Sequence, residues 1–145
     1  MQDKILVDAS IFVAIAFIED PHHLIAKEIF HNFILKGKTF VTNNYIYAES
    51  LTVALIRSKN IKTVIFLKND VFEAGKREVE IIKLDFSIEK EIVDMMLNQQ
   101  KYKSEYLSFA DCSLIVQARK QKIKTIFTFD KTFKQFEKEF DIRGI

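Results

Sequence analysis

Four carboxylates stand where the surrounding sequence has little need of them. Asp8 closes the apolar run Lys4 to Val7, Glu49 interrupts an apolar helical stripe, Asp111 opens a helix, and Asp130 follows the branched run KTIFTF. Around Glu49, residues Tyr45, Ile46, Thr52, Val53 and Ile56 occupy i±3, i±4 and i+7, a face from which a carboxylate is normally excluded. Ser108 and Asp111 have the S-x-x-D spacing of a capping box. Leu114, Ile115 and Ala118 then follow Asp111 at i+3, i+4 and i+7, which puts this acid at the head of a core-facing stripe.

Each acid alone has an ordinary explanation. Asp8 and Asp130 can cap the helices after them, Asp111 can complete the box with Ser108, and Glu49 can reach water at a helix edge. Together they imply more, because parallel strands would bring Asp8 and Asp130 to one sheet edge and a helix starting at Ser108 would add Asp111. At about 5 Å and an effective dielectric of about 20, each ionised pair repels by about 3 kcal/mol. Such a cluster persists by protonation or by binding a cation. Hard oxygen donors suit Mg²⁺ or Mn²⁺ rather than zinc.

Competing chemistries find weaker support. His22 and His23 are adjacent, whereas two ligands on one helical face need a spacing of three or four. There is no G-x-S-x-G elbow, no G-x-G-x-x-G and no Walker pattern. The single cysteine, Cys112, excludes an internal disulfide and a cysteine-based zinc site, and reads as a small core residue. A phosphoacceptor role for Asp8 would need a second acid beside it and a lysine after the last strand, for which Lys131 is a poor fit.

The elements that must position the acids follow from periodicity and punctuation. Strands are expected at Lys4–Val7, Thr39–Thr42, Val79–Leu84 and Lys124–Phe129, with an edge strand at Phe140–Arg143. Helices are expected from Ala9 to about Ile18, and from Pro21, capped by Asp20, to about Lys36 before Gly37. His22, Ile25, Ile29 and Phe33 should mark the second helix's inner face. Further helices run from Asn43 or Asn44 to Ser58, from Ile61 to about Glu73 before a turn around Gly75, and from Ser87 to about Gln100. Two more follow, one from Ser108 to about Lys122 and a short one after Asp130. Strands separated by helices require crossovers, so the expected fold class is α/β: a mainly parallel sheet of four to five strands with helices on both faces. No linker or repeat divides the 145 residues, which suit a single domain, residues 1–145.

Composition is that of an ordinary globular protein, at 48% hydrophobic and 29% charged residues. Net charge is only +2, but Arg119 to Lys138 holds seven Lys or Arg against Asp130 and Glu137, a local excess suited to a phosphate backbone or to solvated helix faces. No apolar run is long enough to span a bilayer, and the N-terminus enters a strand without the pattern of a signal peptide, so no membrane association and a cytoplasmic location are expected.

Three segments, ILVDASIF, VTNNYIYAESL and LSFADCSLIVQARKQKIKTIFTFDKTF, resemble in order and separation the PIN-domain ribonucleases, particularly the VapC-type toxins of toxin–antitoxin pairs. The resemblance covers nearly the whole chain. It implies a PIN-like three-layer sandwich and a Mg²⁺- or Mn²⁺-dependent endoribonuclease. Asp8, Glu49, Asp111 and Asp130 match the family's acidic metal-binding, catalytic positions, Ser10 its small polar position, and Thr128 the threonine that supports the acidic site. Thr132 departs from the pattern, standing where many members carry a further acid, which bears on the number of metals. The resemblance further implies an RNA substrate, an antitoxin protein partner and a homodimer. Arg119, Lys122, Lys124 and Lys131 are candidates to hold the RNA backbone. The alternative is a non-catalytic PIN-like module that binds RNA or protein, against which the presence of all four acids argues.

Overall fold

The computed structural model describes residues 3–73 and 79–145. Five strands form one all-parallel sheet: β1 (Lys4–Val7), β2 (Thr39–Asn43), β3 (Val79–Ile82), β4 (Thr125–Phe127) and β5 (Asp141–Arg143), in the order β3-β2-β1-β4-β5. In β1 and β4 every residue after the first is apolar and buried, because helices cover both faces. Leu6 lies between Val41 and Ile126 in register, and all three are buried. The edge strands read differently, β3 exposing Glu80 and β5 exposing Asp141 and Arg143, and such charges discourage pairing with another chain.

Between strands lie α1 (Ala9–Ala16), α2 (His23–Leu35), α3 (Asn44–Ser58), α4 (Ile61–Phe66), α5 (Phe86–Asn98) and α6 (Phe109–Gln121). Moving from β1 through β2 to β3, right-handed crossovers place α1 to α4 on one face, and α1 packs on α2 and α3. From β3 the chain returns across the sheet to β4, so the same handedness sets α5 and α6, packed together, on the other face. The result is the expected three-layer α/β sandwich.

Phenylalanine fills the first layer. Phe30 stacks on Phe40 at 4.0 Å, and Phe33 meets Phe40 and Phe127 edge-on. Phe12 of α1 packs against Phe72 at 4.6 Å. Phe72 belongs to a π-helical stretch, Leu67–Glu73, that continues α4 where an unbroken α-helix was expected. Leu67, Val71 and Phe72 are its buried side chains, and the i, i+4, i+5 spacing falls on one face only when the helix is wider than α.

Other boundaries differ from expectation for local reasons. α1 stops at Ala16 rather than Ile18. Regular α2 begins at His23, because Asp20 accepts the His22 N–H across a turn and pairs with Arg57 instead of capping a helix directly. The buried residues of α2 are Ala26 and Phe33, with Ile29 and Phe30 packed beside them, while Ile25 is 46% exposed. Of the expected inner face, Ile29 and Phe33 pack inward while His22 and Ile25 are exposed, and Ala26 and Phe30 complete the i, i+3, i+4, i+7 stripe. Asp85, not Ser87, caps α5, and its side chain accepts the Ser87 N–H. The turn expected around Gly75 lies outside the described residues.

Candidate active site

β1 leads toward β2 and β4 toward β5, so the segments leaving their carboxyl ends part and open a crevice at the point where the strand order reverses. A pocket of about 300 Å³ lies there, and Asp8, Ser10, Glu49, Arg57, Ser108, Asp111 and Asp130 help to line it. All four carboxylates singled out from sequence thus face one cavity. One oxygen each from Asp8, Glu49 and Asp111 lies within 4.8 Å of the others. Asp130 lines the cavity but is not in that close group.

Asp8 follows β1 and occupies the N-cap position of α1, yet its side chain makes no capping bond. Instead its Oδ2 accepts the hydroxyls of Ser10 and Thr128, both at 2.8 Å. Thr128 follows β4, and its Oγ1 also accepts the Asp130 N–H at 3.0 Å, while Ser10 Oγ accepts the Phe129 N–H. The ends of β1 and β4 are therefore tied together through the carboxylate they share. Asp8 is only 3% exposed, and that burial pushes its carboxyl above the usual range despite both hydroxyls.

Asp111 fulfils its local role and retains a second. The capping box forms, with Asp111 Oδ2 accepting the Ser108 N–H at 3.0 Å and the Asp111 N–H donated to Ser108 Oγ at 3.1 Å. Its other oxygen has no such partner among the described residues. Burial first, then the charge of Asp8, raises its carboxyl to about 7. Glu49 is brought in by α3, whose buried face is Ile46, Ser50 and Ala54, and its carboxyl is also raised by burial and by Asp8 and Asp130. The stripe read around Glu49 is not continuous core, since Ile56 is 66% exposed; Glu49 stands at the margin of the buried face.

Asp130 does what its bland reading said. Its Oδ1 accepts the N–H and hydroxyl of Thr132 and caps a 3-10 helix, Lys131–Phe136. Thr132 thus fills the departing position with a donor aimed at an acid rather than with a further acid. Among the described residues, none of the four carboxylates is in an ion pair, so the cluster's charge is uncompensated by the chain. Hard oxygens at this separation, with proton affinities raised by one another and by burial, are a donor set that fits a divalent cation.

The basic candidates are dispersed. Lys131 is exposed beside Asp130, whereas Arg119, in the last turn of α6, binds Glu139 through two hydrogen bonds of 2.8 and 2.9 Å. Lys122 and Lys124 precede β4 and so lie at the opposite edge of the sheet from Asp130, which follows it. Sequence reasoning passed over Arg57, which lines the acidic pocket and binds the buried Asp20 at 2.7 Å. Its signal was present: Glu49, Val53 and Arg57 at i, i+4 and i+8 all line that pocket.

Among the described residues no helix is long and apolar enough to cross a membrane. Curated proteins provide no significant match to the sequence. Among solved structures, the fold is similar to the crystal structure of Mycobacterium tuberculosis VapC20, a sarcin–ricin loop cleaving toxin. The TM-score is 0.70 at 20% identity, over 90% of this chain and 93% of that one. The PIN domain family matches residues 5–139, nearly the whole chain, with the acidic crevice inside the match, and this chain belongs to that family.

Proposed function

We propose that the protein is a divalent-metal-dependent endoribonuclease, one PIN nuclease domain acting as the toxin of a toxin–antitoxin pair. The observation that carries the reading is the close group of Asp8, Glu49 and Asp111 oxygens at the strand-order reversal, with no cation paired to it among the described residues. Family membership and the fold shared with a sarcin–ricin loop cleaving toxin support RNA as the substrate. A non-catalytic binding module has no evident reason to hold three repelling carboxylates together.

Asp8, Glu49 and Asp111 would hold Mg²⁺ or Mn²⁺, which supplies Lewis acidity toward a phosphodiester oxygen and toward water. Ser10 and Thr128 both bind Asp8 Oδ2 and so lock its carboxylate in one orientation, with Oδ1 not engaged by either hydroxyl. Asp111 is held by its capping bond in the same way. Glu49 makes no side-chain hydrogen bond among the described residues, which leaves its carboxylate free to orient the attacking water and take its proton. Water adds to phosphorus as the ester bond to the leaving oxygen breaks, and that oxygen leaves as a hydroxyl with a proton taken from solvent. Asp130 contributes charge at the rim, and Thr132 in place of an acid weakens any second cation site beside it. Lys131 is the backbone candidate nearest this chemistry.

The same reading places the protein in the cytoplasm with an antitoxin and a second copy as partners. Ile56, Ile61 and Ile65, at 50% exposure or more on α3 and α4, leave apolar surface for such contacts. Cleavage of mixed single-stranded RNA by wild type and by Asp8→Asn, with Mn²⁺, Mg²⁺ or EDTA, tests the activity. Metal-dependent cutting lost in the variant is expected. Equal cutting by both would reveal a contaminant, and RNA binding without cutting by either would favour the module.

A further inference from the structure

The acidic crevice poses an electrostatic problem for an enzyme of RNA. Four carboxylates line it, and Arg57, the one cation among its described lining residues, is held by Asp20. Without a bound cation such a cavity repels a polyanion, so metal-independent affinity for the strand must come from elsewhere on the surface.

The cations gather at the other end of the sheet. A cleft of about 580 Å³ at the amino ends of β1 and β4 is lined by Lys4, Lys36, Lys38, Lys122, Lys124 and Arg143, against Asp3 and Asp141. These eight residues sum to +4, whereas the whole chain carries +2, so everything outside the cleft sums to −2. Lys38 pairs with Asp3, Arg143 with Asp141 and Lys4 with Glu80. Lys36, Lys122 and Lys124 have no ion-pair partner among the described residues, and all three are exposed. They come from the end of α2, the end of α6 and the approach to β4, so the fold, not one charged run, assembles them. The carbonyl ends of α2 and α6 point to the same side, which favours cations there.

We infer that this basic cleft is a second nucleic-acid-binding surface, which grips the phosphate backbone of RNA at the sheet edge remote from the carboxylates. It rests on the reading of RNA as the substrate. Along β1, Lys4 and Asp8 are separated by about 13 Å at about 3.3 Å per residue, so a folded or wrapping strand reaches both ends. Three lysines without partners give non-selective, salt-sensitive affinity, and base choice is left to the crevice. The division lets the protein hold RNA with its acidic site still empty.

Binding of a fluorescently labelled single-stranded RNA, measured by anisotropy in EDTA across a salt series, tests this without any cleavage. Three proteins are compared: wild type, the triple variant Lys36→Gln/Lys122→Gln/Lys124→Gln, and a charge-matched control, Lys27→Gln/Lys62→Gln/Lys90→Gln, altered at exposed lysines outside the cleft. Loss of three phosphate contacts lowers the slope of log affinity against log salt by about 2 and weakens binding about a hundredfold at about 0.1 M salt. The control retains nearly wild-type affinity, and matching thermal melts exclude unfolding. Equal loss in both triple variants, or no loss in the cleft variant, overturns the inference, as does wild type that binds no RNA. Failure of the nuclease reading is seen separately, as absent metal-dependent cleavage by a wild type that still binds.

Discussion

Thr128 donates its hydroxyl to Asp8 at 2.8 Å across 120 residues of sequence. That bond, with the one from Ser10, fixes the orientation of the most buried carboxylate in the crevice and joins the exits of the two central strands. Thr128→Val keeps the shape but removes the donor to Asp8 and the acceptor for the Asp130 N–H. We expect a loss of about 2 kcal/mol in urea denaturation and weaker Mn²⁺ binding, with both recovered in Thr128→Ser. Full stability in the valine variant would mean the bond is incidental.

Asp111 gives the site a pH signature. Its carboxyl moves from the ordinary 3.8 to about 7 in the folded chain. Between those values the folded protein keeps a proton that the unfolded chain has released, so metal-free stability falls as pH rises through this window and levels off above it. Asp8 and Glu49, also raised, act with the same sign. Each group contributes a slope of at most about 1.4 kcal/mol per pH unit. Asp111→Asn, whose amide oxygen can still accept the Ser108 N–H, should flatten the slope and be the more stable protein in EDTA at pH above 7. Mn²⁺ should raise the wild-type melting temperature at that pH and leave the variant nearly unmoved. A wild type indifferent to Mn²⁺ would remove the case for a cation site.

The Asp20 side chain is 4% exposed and Arg57 43% exposed, so their bond bridges core and solvent. Arg57→Ala strands a buried carboxylate whose remaining partners among the described residues are the His22 N–H and, at 3.6 Å, the exposed His22 ring. A loss of about 2 kcal/mol is expected, below that for a fully buried pair because Arg57 is partly solvated. Asp20→Asn in the same chain should recover most of it. Strictly additive losses in this double-mutant cycle would show that the two residues are not coupled.

Gly144 holds the far side of Thr128. Its φ is +105°, and a side chain there would overlap the Thr128 carbonyl oxygen. Gly144→Ala should therefore cost about 2 kcal/mol through backbone strain, and displacement of Thr128 should lower Mn²⁺ affinity as well. Gly37 has a positive φ too, but open space around it, so Gly37→Ala should cost only about 1 kcal/mol. Equal effects of the two substitutions on Mn²⁺ binding would contradict the placement of Gly144 behind the site.

Much of this could be read locally. The Ser108–Asp111 box, the apolar central strands and the Asn43 cap of α3 are patterns satisfied within a few residues, so the sequence states them directly. Parallel strands joined by crossovers also require their carboxyl ends to share an edge, which is why the sequence alone places Asp8 and Asp130 in one crevice. What the tertiary structure alone decided depends on distance and direction. Asp130 lines the crevice outside the close trio, with one oxygen bound by Thr132. Lys122 and Lys124, neighbours of the site in sequence, are carried to the opposite edge because β4 runs between them and Asp130. Arg57 is joined to Asp20 across the packing of helices that sequence spacing does not encode. Local hydrogen-bond patterns and periodicity are properties of short segments. The charge around a cavity is set by the direction of strands and the packing of helices, and only the folded chain contains those.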